Sequence, residues 1–385
     1  MKTSLLVMGG VAAALAAVTL FLMTSTPTHS AWVWNLPDGF PQPFVPDNNP
    51  MSEAKFQLGR RLFYDKRLSG NGSMGCSSCH FQHLAFTDGN AVSRGSTGDL
   101  TSRSAMSIVN SAYYPTLTWA NPSQSSLEIQ AAVPMFVDNL AVELGINDEN
   151  KQAVLARFAN DPDYRRRFDE VFPGDQEPVT FMNIVKAIAA FERGVISGNS
   201  RYDQARTGQL SLNAEEERGM QLFFSEQAQC SACHNGFNFS DQTMHAGSTR
   251  VETPFHNTGL YNVDGKGGYP DDNPGLIGVM PKPKNMGRFR VPSLRNIAVT
   301  APYMHDGSIE TLEEVLDFYA AHGRNVTSGP HQGDGRLSPL KDPRIEKIHL
   351  GDQEKMEIIA FLKTLTDDSL LDNPRYADPF TSPEG

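Results

Sequence analysis

Every cysteine in this chain lies in one of two copies of one short pattern. Cys76 and Cys79 sit in "CSSCH" (76–80), and Cys230 and Cys233 sit in "CSACH" (230–234). Four cysteines in an exported chain would ordinarily read as two disulfides. The histidine directly after each pair changes that reading. C-x-x-C-H is the attachment pattern of c-type haem: two thiols add across two vinyl groups, and the adjacent histidine binds iron from one side. Two such units could in principle be brought together around zinc. Use of all four thiols in two complete motifs points instead to two covalently bound haem c groups, with His80 and His234 as the proximal ligands.

The two motifs also mark an internal repeat. "LGRRLFYD" (58–65) precedes the first and "RGMQLFFS" (218–225) precedes the second, each a short helix with an aromatic pair. The remaining patterns are helical, over about 149–171, 178–195, 213–225, 311–322 and 352–365. Strand patterns are few, and 236–300 reads as a long structured loop rich in Gly, Pro and Asn. The expected fold is mainly α: two cytochrome-c-like haem domains packed together with long structured loops. The expected divisions are 1–31 leader, 32–50 extended arm, 51–200 first haem domain, 201–370 second haem domain and 371–385 tail.

The leader has Lys2 and then an apolar run from Leu5 to Met23. That is the layout of a cleaved secretory signal, with an uncleaved single-span anchor as the alternative. The working part is expected in the periplasm. The formal net charge of −11 argues against nucleic acid as a partner.

A haem iron has two axial sites, and the second decides between electron transfer and chemistry at the metal. His83 follows His80 too closely to return to the same iron and reads as proximal-side or surface. The loop 89–103 holds neither His nor Met. The first haem is therefore expected to lack a protein sixth ligand. In 311–323, Thr311 and Glu314 form a capping box, and Tyr319 falls on the apolar face. Taken alone, Tyr319 is a core aromatic needing a hydrogen-bond partner.

Beyond the haem motifs, "FTDG" (86–89), "LEIQAAVPM" (127–135), "VELG" (142–145) and "FRVPSLRNIAVTAPYMHDGSIETLEEV" (289–315) resemble the bacterial di-haem cytochrome c peroxidase and MauG family. The resemblance runs along nearly the whole chain after the leader. "LTWANP" (117–122) and the "AVPMF…VELG" stretch look most like its MbnH-like branch. In the peroxidase branch, a methionine fourteen residues after the histidine of "HDG" binds the second haem. That count from His305 lands on Tyr319, and MauG-like members carry tyrosine there. The resemblance thus implies that Tyr319 ligates the His234 haem. A phenolate favours oxidised iron, whereas a thioether raises the potential. Met304, beside the turn before the helix, reads as packing.

The resemblance also places Gln130, Pro134 and Glu143 on the open side of the first haem. Gln130 would hydrogen-bond the small ligand, Pro134 would limit the space, and Glu143 would be the acid–base group, with Asp138 as the alternative carboxylate. Trp119 would relay charge between the haems. Thr300 and Pro302 match two positions that hold calcium in the family, and Ser104 stands where the third is usually an asparagine. The implied reaction uses hydrogen peroxide to oxidise a residue, tryptophan in the MbnH-like branch, on an exported partner such as a copper-binding protein. Two other readings stay open: peroxide reduction by a small cytochrome c, and a two-haem electron carrier without catalysis.

Overall fold

The structure, a computed structural model, describes residues 32–136 and 143–381. Ten α-helices are found among these residues. They are α1 (Glu53–Tyr64), α2 (Leu127–Ala132), α3 (Lys151–Ala159), α4 (Pro162–Val171), α5 (Phe181–Gly194), α6 (Arg201–Arg206), α7 (Ala214–Phe223), α8 (Leu312–Ala320), α9 (Asp352–Lys363) and α10 (Asp368–Leu371). One two-residue pair, β1 (Asn325–Val326) and β2 (Gly333–Asp334), is antiparallel, with Asn325 opposite Asp334. The architecture is mainly α, as expected.

Local chemistry sets the helix ends. Ser52, Thr180 and Thr311 each cap their helix by accepting the N–H three residues on. The 149–171 pattern, read from the sequence as one helical stretch, is two helices. Asp161 accepts the amides of Asp163 and Tyr164, and Pro162 opens α4, so the chain restarts there.

Two hydrophobic cores form. The first gathers Phe56, Leu62, Phe63, Phe86, Ile188 and Phe191. The second gathers Tyr202, Phe223, Phe239, Leu316, Phe361 and Leu362. Each is built round one helix crossing, α1 on α5 and α7 on α9, with a glycine (Gly59, Gly219) at the point of closest approach. These two glycines are equivalent in the sequence repeat. The last segment returns to the first core, where Leu370 and Tyr376 are buried. Tyr64 donates to the Tyr376 carbonyl at 2.8 Å, and Gln82 donates to the Leu370 carbonyl at 2.8 Å.

The arm from residue 32 is extended and packed. Trp32 lies against Phe56 and beneath the Arg375 guanidinium. Phe40 stacks edge-on with Phe237, and Pro41 accepts a hydrogen bond from Tyr113. No helix among the described residues is long and apolar enough to cross a membrane. The leader lies outside the described residues.

Candidate functional site

Each Cys-x-x-Cys-His motif lines its own cavity. The first cavity, about 270 Å³, is bounded by Cys76, Cys79, His80, Trp119, Gln130, Pro134, Glu143, Glu192 and Arg290. The second, about 200 Å³, is bounded by Cys230, Cys233, His234, Met304, His305, Tyr319, Trp119 and Arg290. The motifs do not converge, so a single shared zinc is excluded. All four thiols are free of disulfides. Burial pushes the Cys230 and Cys233 thiols up to about 12 and raises those of Cys76 and Cys79 as well. Both pairs are held as neutral thiols.

Both motif histidines are fixed in one tautomer. His80 Nδ1 lies 2.7 Å from the Phe86 carbonyl oxygen, and His234 Nδ1 lies 3.2 Å from that of Phe239. A carbonyl can only accept, so Nδ1 carries the hydrogen and Nε2 is left with its lone pair. Burial lowers both imidazoles, which keeps them neutral. Phe86 and Phe239 both take left-handed backbone geometry, at φ 61° and 50°. That unusual turn aims each carbonyl at its histidine. Two free thiols and one oriented imidazole per cavity fit one haem c in each.

Tyr319 lines the second cavity together with His234. Among the described residues its hydroxyl has no hydrogen-bond partner. A core tyrosine normally finds one. Burial pushes its phenol up, so only a cation in the cavity would favour the phenolate. Met304, at φ 72°, also lines this cavity. His83 is exposed and stacks on Phe81, as expected for a surface position.

Gln130, Pro134 and Glu143 meet at the first cavity, although nine positions separate the last two. The Leu144 amide donates to the Pro134 carbonyl at 2.9 Å, and Ile146 to that of Met135 at 2.9 Å, which closes the loop. Asp138 lies outside the described residues. Trp119 lines both haem cavities and a third of about 100 Å³. Its indole N–H donates to the Ser104 carbonyl at 3.0 Å, and its own carbonyl accepts from the Arg290 amide at 2.8 Å. The third cavity also brings together Ser104, Thr300 and Pro302. The Ser104 hydroxyl donates to the Met304 carbonyl at 3.1 Å.

Four features went unread in the sequence. Arg290 lines all three cavities and lies over the Tyr114 ring at 3.9 Å. Glu192 is a buried carboxyl in the first cavity. His305 stacks on Phe289 at 3.7 Å. His256 lies between Asp241 (2.7 Å) and Asp342 (2.8 Å), beside Cys233. Arg290 and His305 stand inside the quoted 289–315 stretch, which was the available signal. Glu192 and His256 have no local spacing that marks them.

A sequence profile of di-haem cytochrome c peroxidases matches residues 53–211. The cytochrome-c peroxidase IdrP1 of Denitromonas iodatirespirans is 37% identical, over 86% of this chain and 87% of that protein. The methylamine utilization protein MauG of Methylorubrum extorquens is 30% identical, over 86% of this chain and 82% of its own length. The crystal structure of a MauG-like protein associated with microbial copper homeostasis superposes with a TM-score of 0.89. It is 56% identical and covers 91% of this chain and all of its own. Two haem-binding cavities, one oriented histidine in each, and this set of relatives lead to one conclusion: the chain belongs to the di-haem cytochrome c peroxidase and MauG family, and is a haem-dependent oxidoreductase.

Proposed function

We propose that the protein is a MauG-type oxidase that uses hydrogen peroxide to oxidise a residue, tryptophan in the first instance, on an exported partner protein. The observation that carries this reading is Tyr319, a half-buried phenol in the wall of the His234 cavity with no hydrogen bond from its hydroxyl among the described residues. Cys76, Cys79 and His80 would hold one haem c and Cys230, Cys233 and His234 the other, and these groups would supply the electron chemistry toward peroxide. The protein residues do the rest. Gln130 hydrogen-bonds peroxide, and Pro134 keeps the site small. Glu143 moves the proton from one peroxide oxygen to the other. Trp119, packed between the cavities, passes charge from one to the other, and the partner is oxidised at the surface without entering either cavity.

A copper-binding partner is supported by the 56% identical MauG-like structure, which is associated with copper homeostasis. Calcium is the ion proposed for Ser104, Thr300 and Pro302, since carbonyl and hydroxyl oxygens suit it. Export by the leader would place enzyme and partner in the periplasm.

The test is mass spectrometry of the partner after peroxide treatment with the holoprotein. Gain of oxygen on a tryptophan supports the proposal, and an unmodified partner rejects it. A second reading, peroxide reduction by a small cytochrome c, has its own support in the name of the 37% identical relative. Rapid peroxide-dependent oxidation of reduced cytochrome c would favour it.

A further inference from the structure

Glu192 stands in the last turn of α5, in the wall of the first cavity. It is 5% exposed, and among the described residues its Oε2 has no hydrogen-bond partner. The mechanism above gives it no task. An unpaired carboxylate so deeply buried is costly, and evolution of a stable core would replace it with an apolar residue or give it a cation.

The nearby cations are already engaged. Arg193, next along the helix, donates to Glu128 of α2 at 2.7 Å. Asn49 donates to the same Glu128 oxygen at 2.7 Å. Lys55 of α1 is bound to Asn49 Oδ1 and to the Pro50 carbonyl. From the 111–113 turn only a hydroxyl is offered, and Ser111 spends it on the Glu192 carbonyl at 3.4 Å. The first haem motif presents Cys76, whose thiol becomes a neutral thioether. Across the cavity stand His80, Arg103, Tyr114, Glu143 and Arg290. The Arg290 guanidinium is stacked over Tyr114.

We propose that Glu192 is the proton partner of the first haem: its carboxylate binds a proton when the haem held by His80 gains an electron, and releases it when that electron is lost. The bond that forms on reduction is O–H on Glu192. The electron comes from the external reductant, the proton comes from solvent through the cavity, and the charge inside the cavity is unchanged. The physical reason is mutual. In a buried site an added negative charge favours protonation of a neighbouring carboxylate, and the proton in turn favours the electron. Burial, opposed by Arg193 and assisted by Glu128, pushes the Glu192 carboxyl up to about 8, so the proton is exchanged around that pH. This role rests on a haem in the first cavity and is independent of which substrate the protein oxidises.

The test is a redox titration of the holoprotein against pH, following the His80 haem by its optical and electron paramagnetic resonance signals. The wild type is expected to lose potential as pH rises, approaching about 59 mV per pH unit, the value for one proton per electron. Glu192→Gln keeps the shape and loses the proton, so its potential becomes flat over the same range. Glu143→Gln keeps the slope. A flat wild type overturns the proposal. So does a slope that survives in Glu192→Gln, which would assign the proton to a haem propionate, or one that vanishes in Glu143→Gln alone. Should Glu192→Gln lose haem, redox-difference infrared spectra of unaltered protein decide. A protonated carboxylic C=O band gained on reduction supports the role, and its absence overturns it.

Discussion

Gly59 meets Ala187 so closely that a Cβ on the glycine would lie 1.9 Å from the Ala187 carbonyl oxygen. Gly219 stands to Glu357 in the same way, at 1.8 Å. In both cores a phenylalanine one turn further, Phe191 or Phe361, closes the crossing with its Cβ 3.0 Å from that point. The obstacle is backbone and cannot swing aside.

Gly59→Ala is therefore expected to destabilise, although alanine is the better helix former. The propensity gain is about 1 kcal/mol. Forcing two helices apart at their contact costs about 1–3 kcal/mol, and a clash with a carbonyl oxygen belongs at the upper end. A net loss of about 2 kcal/mol should appear in urea unfolding of the holoprotein. An unchanged or higher midpoint would show that the crossing can relax.

If Tyr319 is the ligand its place in the second cavity allows, Tyr319→Met exchanges a hard anionic donor for a thioether. The potential of the His234 haem should rise, and its low-spin resonance should change. The fully oxidised variant should no longer respond to peroxide until one electron is supplied. If the low-spin signal is the same in both proteins, Tyr319 is not a ligand.

Glu143→Gln keeps the size of the side chain and removes its acid–base chemistry. The rate of peroxide reaction should fall about 10²- to 10⁴-fold, the usual loss for such a group. Haem content and both potentials should hold. Stopped-flow mixing with peroxide measures it directly, and a rate within a few-fold of wild type would point to Asp138.

Glu128 neutralises Arg193, whose side chain is 3% exposed. Glu128→Ala leaves a buried cation alone and should cost about 3–5 kcal/mol. The same pair sets a direction with pH. Burial raises the Glu128 carboxyl, but Arg193 and the hydrogen bonds to it and Asn49 outweigh that and hold it below its ordinary 4.5. A carboxylate lowered on folding stabilises above its unfolded value, and that contribution is lost as pH falls through the folded value. Acid unfolding of the wild type should thus be steeper than that of Glu128→Gln, and parallel curves would contradict the assignment.

Haem attachment was legible because its spacing is local: two thiols and an imidazole within five residues need no tertiary information. The place of Tyr319 in the wall of the second cavity could be anticipated only by counting along a motif, since its helix looks like any amphipathic helix. Glu143 needed the loop to close through Leu144 and Pro134, a contact that residue order alone does not reveal. The Phe86 and Phe239 carbonyls were invisible because backbone geometry, and not side-chain type, gives them their task. Glu192 was hidden for a different reason. A glutamate between Phe191 and Arg193 reads as a helix surface, and only burial makes it unusual.

The return of residues 368–381 to the first core has a consequence in time. Arg375 pairs with Glu53 at 2.8 Å and covers Trp32 and Phe56, so the opening helix is roofed by the end of the chain. The first core is therefore not closed until the end of the chain is in place, so its completion waits on the last residues of the chain.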